Sequence, residues 1–350
     1  MSYRASIIGC GRVAWMLEDD PLEKKPCTHM GAYLALGEAV VRVSAASDIS
    51  PERAHAFGRR YSIGALYADY MEMLQAEAPQ IVSICAYAPE RYRMVMDSIE
   101  AGVKGIWCEK AFATNMREAG LMIDACAENG VSLVVSHLRR WSPDFQKAKE
   151  LIDSGGIGRL QYIAAHFSGS LMHTGTHAFD VLNWFCGPAK WVSGGLEPGA
   201  FQKFADLPWD VAGDSGGWAV IMFENNAYAT VHADSKPYFF FEFDIVGSQG
   251  RIRIGNNDLL EYYTPETSVH YTGLKELSRR EFPAFENRNI WVGALKNLID
   301  AMEGRAEAAN GPVEGLKALE IALAIHESAR TGGGPVELPL RDSKLTIRSR

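Results

Sequence analysis

The stretch that decides the fold is Ile7-Ile8-Gly9-Cys10-Gly11-Arg12-Val13-Ala14, which leaves the apolar run 3–8 with the pattern G-x-G-x-x-A. Gly9 permits a tight turn, Gly11 lets the main chain approach a ligand, and Ala14 allows a helix to pack close to the strand. Free N–H groups at the start of such a helix favour a pyrophosphate. The pattern therefore predicts a dinucleotide site. Its predicted contacts in this stretch are Gly9, Gly11, Arg12 and Val13.

Short apolar runs alternate with helical patterns over the first 136 residues. The predicted strands lie at 3–8, 40–46, 81–85, 105–108 and 131–136, and the clearest helical patterns lie at 51–59, 89–101 and 114–129. Strands that are apolar on both faces and separated by helices are typical of βαβ units with a buried parallel sheet. We therefore expect an α/β domain over residues 1–136, with a Rossmann, doubly wound parallel sheet.

Residues 137–350 have a different pattern. Longer predicted strands are broken by turn residues, among them Asn225-Asn226 and Gly247-Ser248-Gln249-Gly250, which favour hairpins. Helical patterns lie at 143–154, 285–302 and 313–330. We expect a second, α+β domain over 137–350, with a large, mainly antiparallel open sheet.

Composition excludes several classes of protein. The chain has 350 residues, 47% hydrophobic and 22% charged, which excludes intrinsic disorder. A net charge of −8 argues against a nucleic-acid partner, and no apolar run reaches the ~20 residues that a membrane span needs. The N-terminus lacks a signal-peptide pattern, and the six cysteines include no C-x-x-C pair. We therefore expect reduced thiols and a cytoplasmic location.

An acidic side chain at the end of the second predicted strand extends the dinucleotide site. Asp48 follows Ala14 by 34 residues, against about 20 in this motif, because a polar stretch at 18–28 interrupts the first helix. That stretch is either a solvated loop or a cover for the crevice. A carboxylate at Asp48 accepts hydrogen bonds from ribose hydroxyls and repels a 2′-phosphate, which favours NAD over NADP. The alternative is that Asp48 caps the helix that starts near Pro51.

Two further segments carry candidate catalytic groups. Lys110 follows the predicted strand 105–108 and Glu109, and the carboxyl ends of parallel strands face the ligand crevice. Lys110 is therefore expected near the nicotinamide, unless it is simply a solvated lysine. Downstream, His177 and Asp180 are three residues apart on one helical face, and His173 precedes that helix.

In order and spacing, these motifs resemble the glucose–fructose oxidoreductase, inositol dehydrogenase and rhizopine catabolism (Gfo/Idh/MocA) family. The resemblance covers nearly the whole chain: Gly9–Ala14, Asp48 with Pro51-Glu52-Arg53, Tyr67–Tyr70, Glu109-Lys110, Arg139–Pro143, Gly155–Gly158, His177–Asp180, Val246–Gly250 and Leu338-Pro339. In that family the lysine of a Glu-Lys-Pro motif and a helix histidine form the catalytic pair, which Lys110 and His177 match. Ala111 replaces the usual proline, and His173 stands where an aspartate is common.

The resemblance implies an NAD-dependent oxidoreductase that moves a hydride between nicotinamide and a secondary alcohol of a sugar, inositol or related polyol. His177 is the expected general base, Lys110 stabilises the developing negative charge on oxygen, and His173 relays a proton or binds a hydroxyl. It also implies a homodimer or homotetramer formed through the second domain's sheet. Further expected cofactor contacts are Cys85, Ala86 and Glu109. Expected substrate contacts are Arg140, Trp141, His166 and Asp180.

Three alternatives stay open at this point. A metal could instead be bound by His166, His173, His177 and Asp180. Gly175 lies between His173 and His177 and disfavours a helical H-x-x-x-H pair, so we expect no metal. A redox-neutral enzyme would oxidise a sugar transiently to permit elimination. A non-catalytic NAD-binding sensor would keep the fold without turnover.

Overall fold

A computed structural model of the chain describes residues 2–200, 208, 210–234, 238–341 and 343–349. They form two compact units, each discontinuous in sequence. The first runs to Trp141 and includes 288–316, and the second comprises 142–287 and 317–349. This division differs from the predicted segments 1–136 and 137–350, because 288–316 groups with the first unit.

The first unit contains a six-stranded parallel sheet, which confirms the predicted Rossmann fold. Its strands are β1 Tyr3–Ile8, β2 Val41–Ser47, β3 Ala65–Tyr67, β4 Ile81–Ile84, β5 Gly105–Cys108 and β6 Ser132–Val135. Their order is β3-β2-β1-β4-β5-β6, and every pair is parallel. The order reverses between β1 and β4, so the ligand crevice of such a sheet lies at their carboxyl ends.

Helices connect these strands, and their ends follow local sequence signals. They are α1 His29–Leu36, α2 Pro51–Tyr61, α3 Tyr70–Glu77, α4 Ala88–Glu100 and α5 Met116–Asn129. The Asn115 side chain accepts a hydrogen bond from the Glu118 N–H at the start of α5, and Gly130 ends that helix in the left-handed region at φ 60°. Asparagine at an N-cap and glycine just past a helix end are residue types that these two positions favour.

The first helix is interrupted by a polar segment, as the sequence predicts. The carbonyls of Val13 and Ala14 accept hydrogen bonds from the N–H groups of His29 and Met30, at 3.1 and 2.9 Å. In an uninterrupted helix these carbonyls would bind the N–H groups four residues further on, so residues 17–28 are an insertion. One expectation is corrected here. Turns and a short 3₁₀ helix follow Gly11, and the regular helix begins only at His29.

The second unit contains a nine-stranded sheet with the order β15-β14-β13-β12-β7-β11-β10-β8-β16 and a small β17-β9 pair. The strands are β7 Leu160–Ser168, β8 Ala189–Leu196, β9 Val211–Gly213, β10 Gly217–Phe223, β11 Tyr228–Asp234, β12 Phe241–Gly247, β13 Gly250–Gly255, β14 Leu260–Thr267, β15 Lys275–Arg280, β16 Val336–Glu337 and β17 Thr346–Arg348. Within the large sheet only β7 and β11 pair in parallel among the described strands. The mainly antiparallel sheet is therefore confirmed.

The remaining described helices are α6 Pro143–Asp153, α7 Gly175–Cys186, α8 Ile290–Met302 and α9 Pro312–Arg330. Helix α7 packs on one face of the large sheet, where the rings of Phe179 and Phe167 lie 6.2 Å apart. Helix α8 packs against α1, β5 and β6, which is why it belongs to the first unit. Among the described helices, none has the length and apolar character needed to cross a membrane.

Candidate active site

The glycine turn after β1 packs directly on the loop after β4. Gly9 has φ +90°, and a Cβ there would lie 3.1 Å from the Cys85 carbonyl and 3.3 Å from the Ala86 nitrogen. A Cβ on Gly11 would meet nothing within 4 Å, so the surface beside Gly11 is open. A close main-chain turn next to an open surface is what a pyrophosphate requires, and the predicted contacts Gly9, Gly11, Cys85 and Ala86 lie at this one edge.

Asp48 is buried at the end of β2 and is tied to the glycine turn. Its Oδ2 accepts the Cys10 N–H at 2.8 Å, and its Oδ1 accepts the Ser50 N–H at 2.8 Å. The Ser50 side chain, and not Asp48, caps α2 by accepting the Arg53 N–H. The structure thus assigns the capping role to Ser50 and leaves Asp48 at the carboxyl end of β2, bonded to the glycine turn.

Arg53 is a partner of Asp48 that the sequence reasoning missed. Its Nε lies 3.1 and 3.2 Å from the two carboxylate oxygens of Asp48, and its guanidinium side chain is half exposed. A positive charge therefore stands beside the negative one at the adenosine end of the site.

The loops after β4 and β5 are held together by Arg91. Its Nε donates to the Ala86 carbonyl at 3.0 Å and its Nη1 donates to the Ala111 carbonyl. The side chain is buried, and burial lowers the pKa of Arg91. Arg91 therefore joins the turn that carries Lys110 to the loop after β4, although Ala111 stands where the family motif has a proline. The Lys110–Ala111 peptide bond is cis.

Glu109 takes part in an internal polar network directly before Lys110. The Nε2 atom of His29 lies 3.1 Å from Glu109 Oε1, and its Nδ1 atom lies 3.1 Å from Ser83 Oγ, which in turn bonds the Tyr33 hydroxyl. Burial raises the pKa of Glu109, but the hydrogen bond and charge of His29, together with nearby cations, outweigh it and lower the pKa to about 2. Glu109 is thus an ionised internal carboxylate with a protein partner, whereas the sequence predicts a cofactor contact at this position.

The candidate catalytic residues of the second unit lie on α7 and the turn before it. His177 is half-buried and Asp180 is fully buried, both on α7. His173 is exposed on the preceding turn, and its N–H donates to Asp214 Oδ2 at 3.0 Å. The structure therefore places His173, His177 and Asp180 in one local segment.

Two of the predicted substrate contacts, Trp141 and His166, have surroundings that differ from the prediction. Trp141 is 7% exposed within the hydrophobic core of the first unit, and a Cβ on Gly293 would lie 3.1 Å from it. Its ring packs against α8 and is not a sugar platform. His166 is exposed, while its strand neighbour Phe167 faces α7. His166 thus lies on the sheet face opposite α7, and its ring is 6.5 Å from His232.

For three other predicted contacts, Arg140, Arg12 and Val13, a role in ligand binding remains a prediction. Arg140 is half-buried in the 3₁₀ helix Leu138–Trp141, and Arg12 is exposed beside Gly11, with Val13 next to it. In the part of the chain that the structure describes, no group of three His, Cys, Asp or Glu side chains is arranged to hold a metal ion.

Besides Arg53, three residues around the candidate site are not predicted by the sequence: His29, Arg91 and Asp214. A signal existed for Arg91, since its spacing from Val95 and Ile99 places it on the buried face of α4. The partner of His29 is Glu109, 80 residues away, and the partner of Asp214 is His173, 41 residues away. A local sequence pattern cannot predict contacts at such separations.

Comparison with known proteins agrees with this geometry. Residues 3–137 match the family model described as an oxidoreductase family with an NAD-binding Rossmann fold, and residues 164–338 match that family's C-terminal alpha/beta domain. The chain is thus an NAD-dependent oxidoreductase. It belongs to the Gfo/Idh/MocA family, as the sequence resemblance implied.

The chain is similar to several named dehydrogenases. It is 25% identical to D-apiose dehydrogenase of Paraburkholderia graminis over 94% of this chain and 88% of that protein. It is 28% identical to inositol 2-dehydrogenase of Burkholderia ambifaria over 53% of this chain and 55% of that protein.

Two solved structures share the fold over nearly their whole length. The NADH complex of levoglucosan dehydrogenase has a TM-score of 0.78 and 19% identity, covering 97% of this chain and 100% of that one. The Bordetella pertussis WlbA dehydrogenase, in complex with NADH and UDP-GlcNAcA, has a TM-score of 0.76 and 19% identity, with the same coverage.

Proposed function

We propose that the chain is a dehydrogenase that uses NAD to oxidise or reduce a secondary alcohol of a sugar, inositol or related polyol. The observation that carries the proposal is the open glycine turn bonded to Asp48, together with Arg91, which joins the loop after β4 to the turn that carries Lys110 through the Ala86 and Ala111 carbonyls. The names of the relatives support the substrate class, since one acts on D-apiose and another on inositol.

The residues around β1 and β2 suit NAD. The N–H groups next to Gly11 would face the pyrophosphate, and Asp48 would accept hydrogen bonds from the adenosine ribose. When bound, the nicotinamide accepts or returns a hydride.

The chain's own groups handle the proton and the charge on oxygen. In the oxidative direction His177 would accept the substrate hydroxyl proton as general base. Lys110 would hydrogen-bond the same oxygen and stabilise the negative charge that develops there. His173 would bind a neighbouring hydroxyl of the substrate or pass the proton on. The buried Asp180 would orient His177 or Lys110. Glu109, held by His29, places a carboxylate directly before Lys110.

The test is a pair of substitutions with a matched control. Lys110→Ala and His177→Ala should each retain NADH binding, measured by fluorescence, and lose at least 100-fold in kcat on the substrate found by screening inositols, aldoses, sugar acids and deoxy sugars. Lys104→Ala is the control, because Lys104 is exposed at the amino end of β5, opposite the ligand edge. Near-normal kcat in either variant would refute the assignment.

We also propose that copies of the chain form a dimer or tetramer through the open face of the large sheet. Trp218 and Tyr228 are large exposed side chains on neighbouring strands of that face, and Tyr162 stacks beside Tyr228 at 4.8 Å. Exposed apolar patches of this kind mark association surfaces. Light scattering of Trp218→Lys should show smaller particles than the wild type. Val269→Lys, in the exposed turn after β14, should leave the mass unchanged.

A cytoplasmic location is the last part of the proposal. All six cysteines are free thiols, which suits a reducing compartment. Fractionation of cells that produce the protein should recover it with the cytoplasmic enzymes, and recovery from an oxidising compartment would contradict this part.

A further inference from the structure

A carboxylate from a distant part of the chain holds the turn that precedes α7. Asp214 lies between β9 and β10, and its Oδ1 accepts the Met172 N–H at 2.9 Å. Its Oδ2 accepts the His173 N–H at 3.0 Å and the Ser170 hydroxyl at 2.6 Å. Two main-chain donors and one hydroxyl of a single short turn thus converge on one side chain.

This turn sets the start of α7. The carbonyl of Ser170 accepts the N–H groups of Thr174 and Gly175, at 3.1 and 3.0 Å, and the Thr176 hydroxyl donates to the Met172 carbonyl at 3.0 Å. The first turn of the helix is therefore built on the residues that Asp214 binds. His177 follows one residue later, so its position depends on the same anchor.

Asp214 is itself fixed from the other side. Its N–H donates to the Arg348 carbonyl at 3.1 Å, and the Ser349 hydroxyl donates to its Oδ2 at 2.9 Å. The neighbouring strands β9 and β17 pair in parallel. The carboxylate is thus held between a strand pair and the turn, and its oxygens are occupied by protein donors.

We propose that Asp214 is a positioning residue for the reaction, because it fixes the turn that carries His173 and the start of the helix that carries His177. The inference rests on the proposed function, which gives these histidines their roles. Asp214 acts through the main chain and does not itself contact substrate. Its loss should lower kcat and leave NAD binding unchanged, since the NAD-binding residues belong to the first unit.

The variant that tests this is Asp214→Asn. An amide offers one acceptor oxygen and a donating NH₂ group, so it cannot accept the Met172 and His173 N–H groups on separate atoms. We expect kcat to fall at least tenfold with the Kd for NADH within twofold of the wild type. Hydrogen exchange in the peptide that covers 170–176 should accelerate at least tenfold, while exchange in the first unit stays unchanged.

Two serine variants keep the test decisive if Asp214→Asn folds poorly. Ser170 and Ser349 both donate to the same oxygen of Asp214, one from the turn and one from the C-terminal strand pair. Ser170→Ala should lower kcat about threefold and speed exchange in the turn, whereas Ser349→Ala removes a bond outside the turn and should have the smaller effect on both. A Ser170→Ala variant with wild-type kcat and wild-type exchange in the turn would overturn the proposal.

The outcomes separate this inference from the proposed function. A wild-type protein without turnover on the whole substrate panel would refute the proposed function, and the inference with it. An active wild type whose Asp214→Asn variant keeps kcat within twofold would refute the inference alone.

Discussion

His29 Nε2 lies 3.1 Å from Glu109 Oε1, and the two buried side chains join the start of α1 to the end of β5. A buried carboxylate needs such a partner, because an isolated buried charge is strongly unfavourable. Removing one partner leaves the other buried polar group without its hydrogen bond, which costs about 1–3 kcal/mol and more for a charged group. The contact is therefore best explained as a device that fixes the chain just before Lys110.

Glu109→Gln should lower stability in a way that depends on pH. The hydrogen bond and charge of His29 hold the pKa of Glu109 at about 2 in the folded protein, below the ordinary glutamate value of 4.5. A depressed folded pKa stabilises the protein fully above about pH 5, and the contribution is lost as pH falls towards 2. We expect a deficit on the order of 3 kcal/mol at pH 7 in urea unfolding. The deficit should shrink as the measurements approach pH 3.

Glu320→Gln is the matched control, with the opposite sign. Burial raises the pKa of Glu320, so its ionisation disfavours the folded state at neutral pH. The Leu340 N–H that it accepts at 2.7 Å can still bind the amide oxygen of glutamine. This variant should equal or exceed wild-type stability at pH 7, and its advantage should decrease on acidification. A Glu109→Gln deficit that is the same at pH 7 and pH 3 would contradict the interpretation.

Arg91→Lys should weaken both cofactor binding and turnover. Arg91 reaches the Ala86 and Ala111 carbonyls with two nitrogens of one planar fork, and the compact lysine ammonium cannot span both. The loops after β4 and β5 then lose their common anchor. We expect KM for NAD to rise and kcat to fall, each by about tenfold, in steady-state assays.

Arg93→Lys serves as the control for that change. Arg93 lies on the same helix, is exposed, and pairs only with the surface carboxylate of Asp97 among the contacts described. Such an exposed i,i+4 pair contributes a few tenths of a kcal/mol at most. If Arg91→Lys behaves like Arg93→Lys, the two loops are held by other contacts.

The parts of the fold that the sequence predicts correctly are set by local pattern. The turn at Gly9 and the break in the first helix each follow from residues adjacent in sequence. The break also explains the position of Asp48, since removing residues 17–28 restores the spacing of about 20 residues expected after the motif.

The parts that the sequence misses depend on which distant groups meet. The sequence shows only that Trp141 is an aromatic residue that follows a predicted strand. Its packing against Gly293 in the structure shows that it belongs to the core. The alternation along β7 is clear, but which face carries His166 is decided by the docking of α7 on Phe167. The partners of Glu109 and of the turn at His173 likewise come from elsewhere in the chain.

Asp48→Ser should shift cofactor preference towards NADP. Asp48 would repel a 2′-phosphate, and it also holds the Arg53 guanidinium at 3.1 Å. Without the carboxylate, Arg53 is released to form a charge-assisted hydrogen bond with that phosphate. The ratio of kcat/KM for NADP to that for NAD should rise at least tenfold.

The double variant Asp48→Ser/Arg53→Ala tests the source of that shift. It should lose most of the gain for NADP, because the serine removes repulsion but supplies no positive charge. Arg53→Ala alone should leave the preference for NAD intact. A double variant as NADP-tolerant as Asp48→Ser would show that Arg53 has no part in recognising the phosphate.

Deletion of residues 17–28 should yield a folded protein that still binds NAD. Val13 and Ala14 already accept the hydrogen bonds of His29 and Met30 as a continuous helix would, so joining Met16 to His29 closes the helix. We expect Kd for NADH to change less than threefold in fluorescence titration. A loss of more than tenfold would show instead that the segment covers the cofactor crevice.

A point substitution inside the same segment should be more damaging than its removal. Glu18 Oε1 accepts the Cys27 N–H at 2.7 Å and the Thr28 hydroxyl at 2.8 Å, and both donors are buried at the start of α1. Glu18→Ala leaves the Cys27 N–H without this acceptor, at a cost of about 1–3 kcal/mol, whereas the deletion removes donors and acceptor together. Thermal unfolding should therefore rank the deletion above Glu18→Ala in stability. The reverse order would mean that the inserted segment stabilises the first unit through contacts other than its own closure.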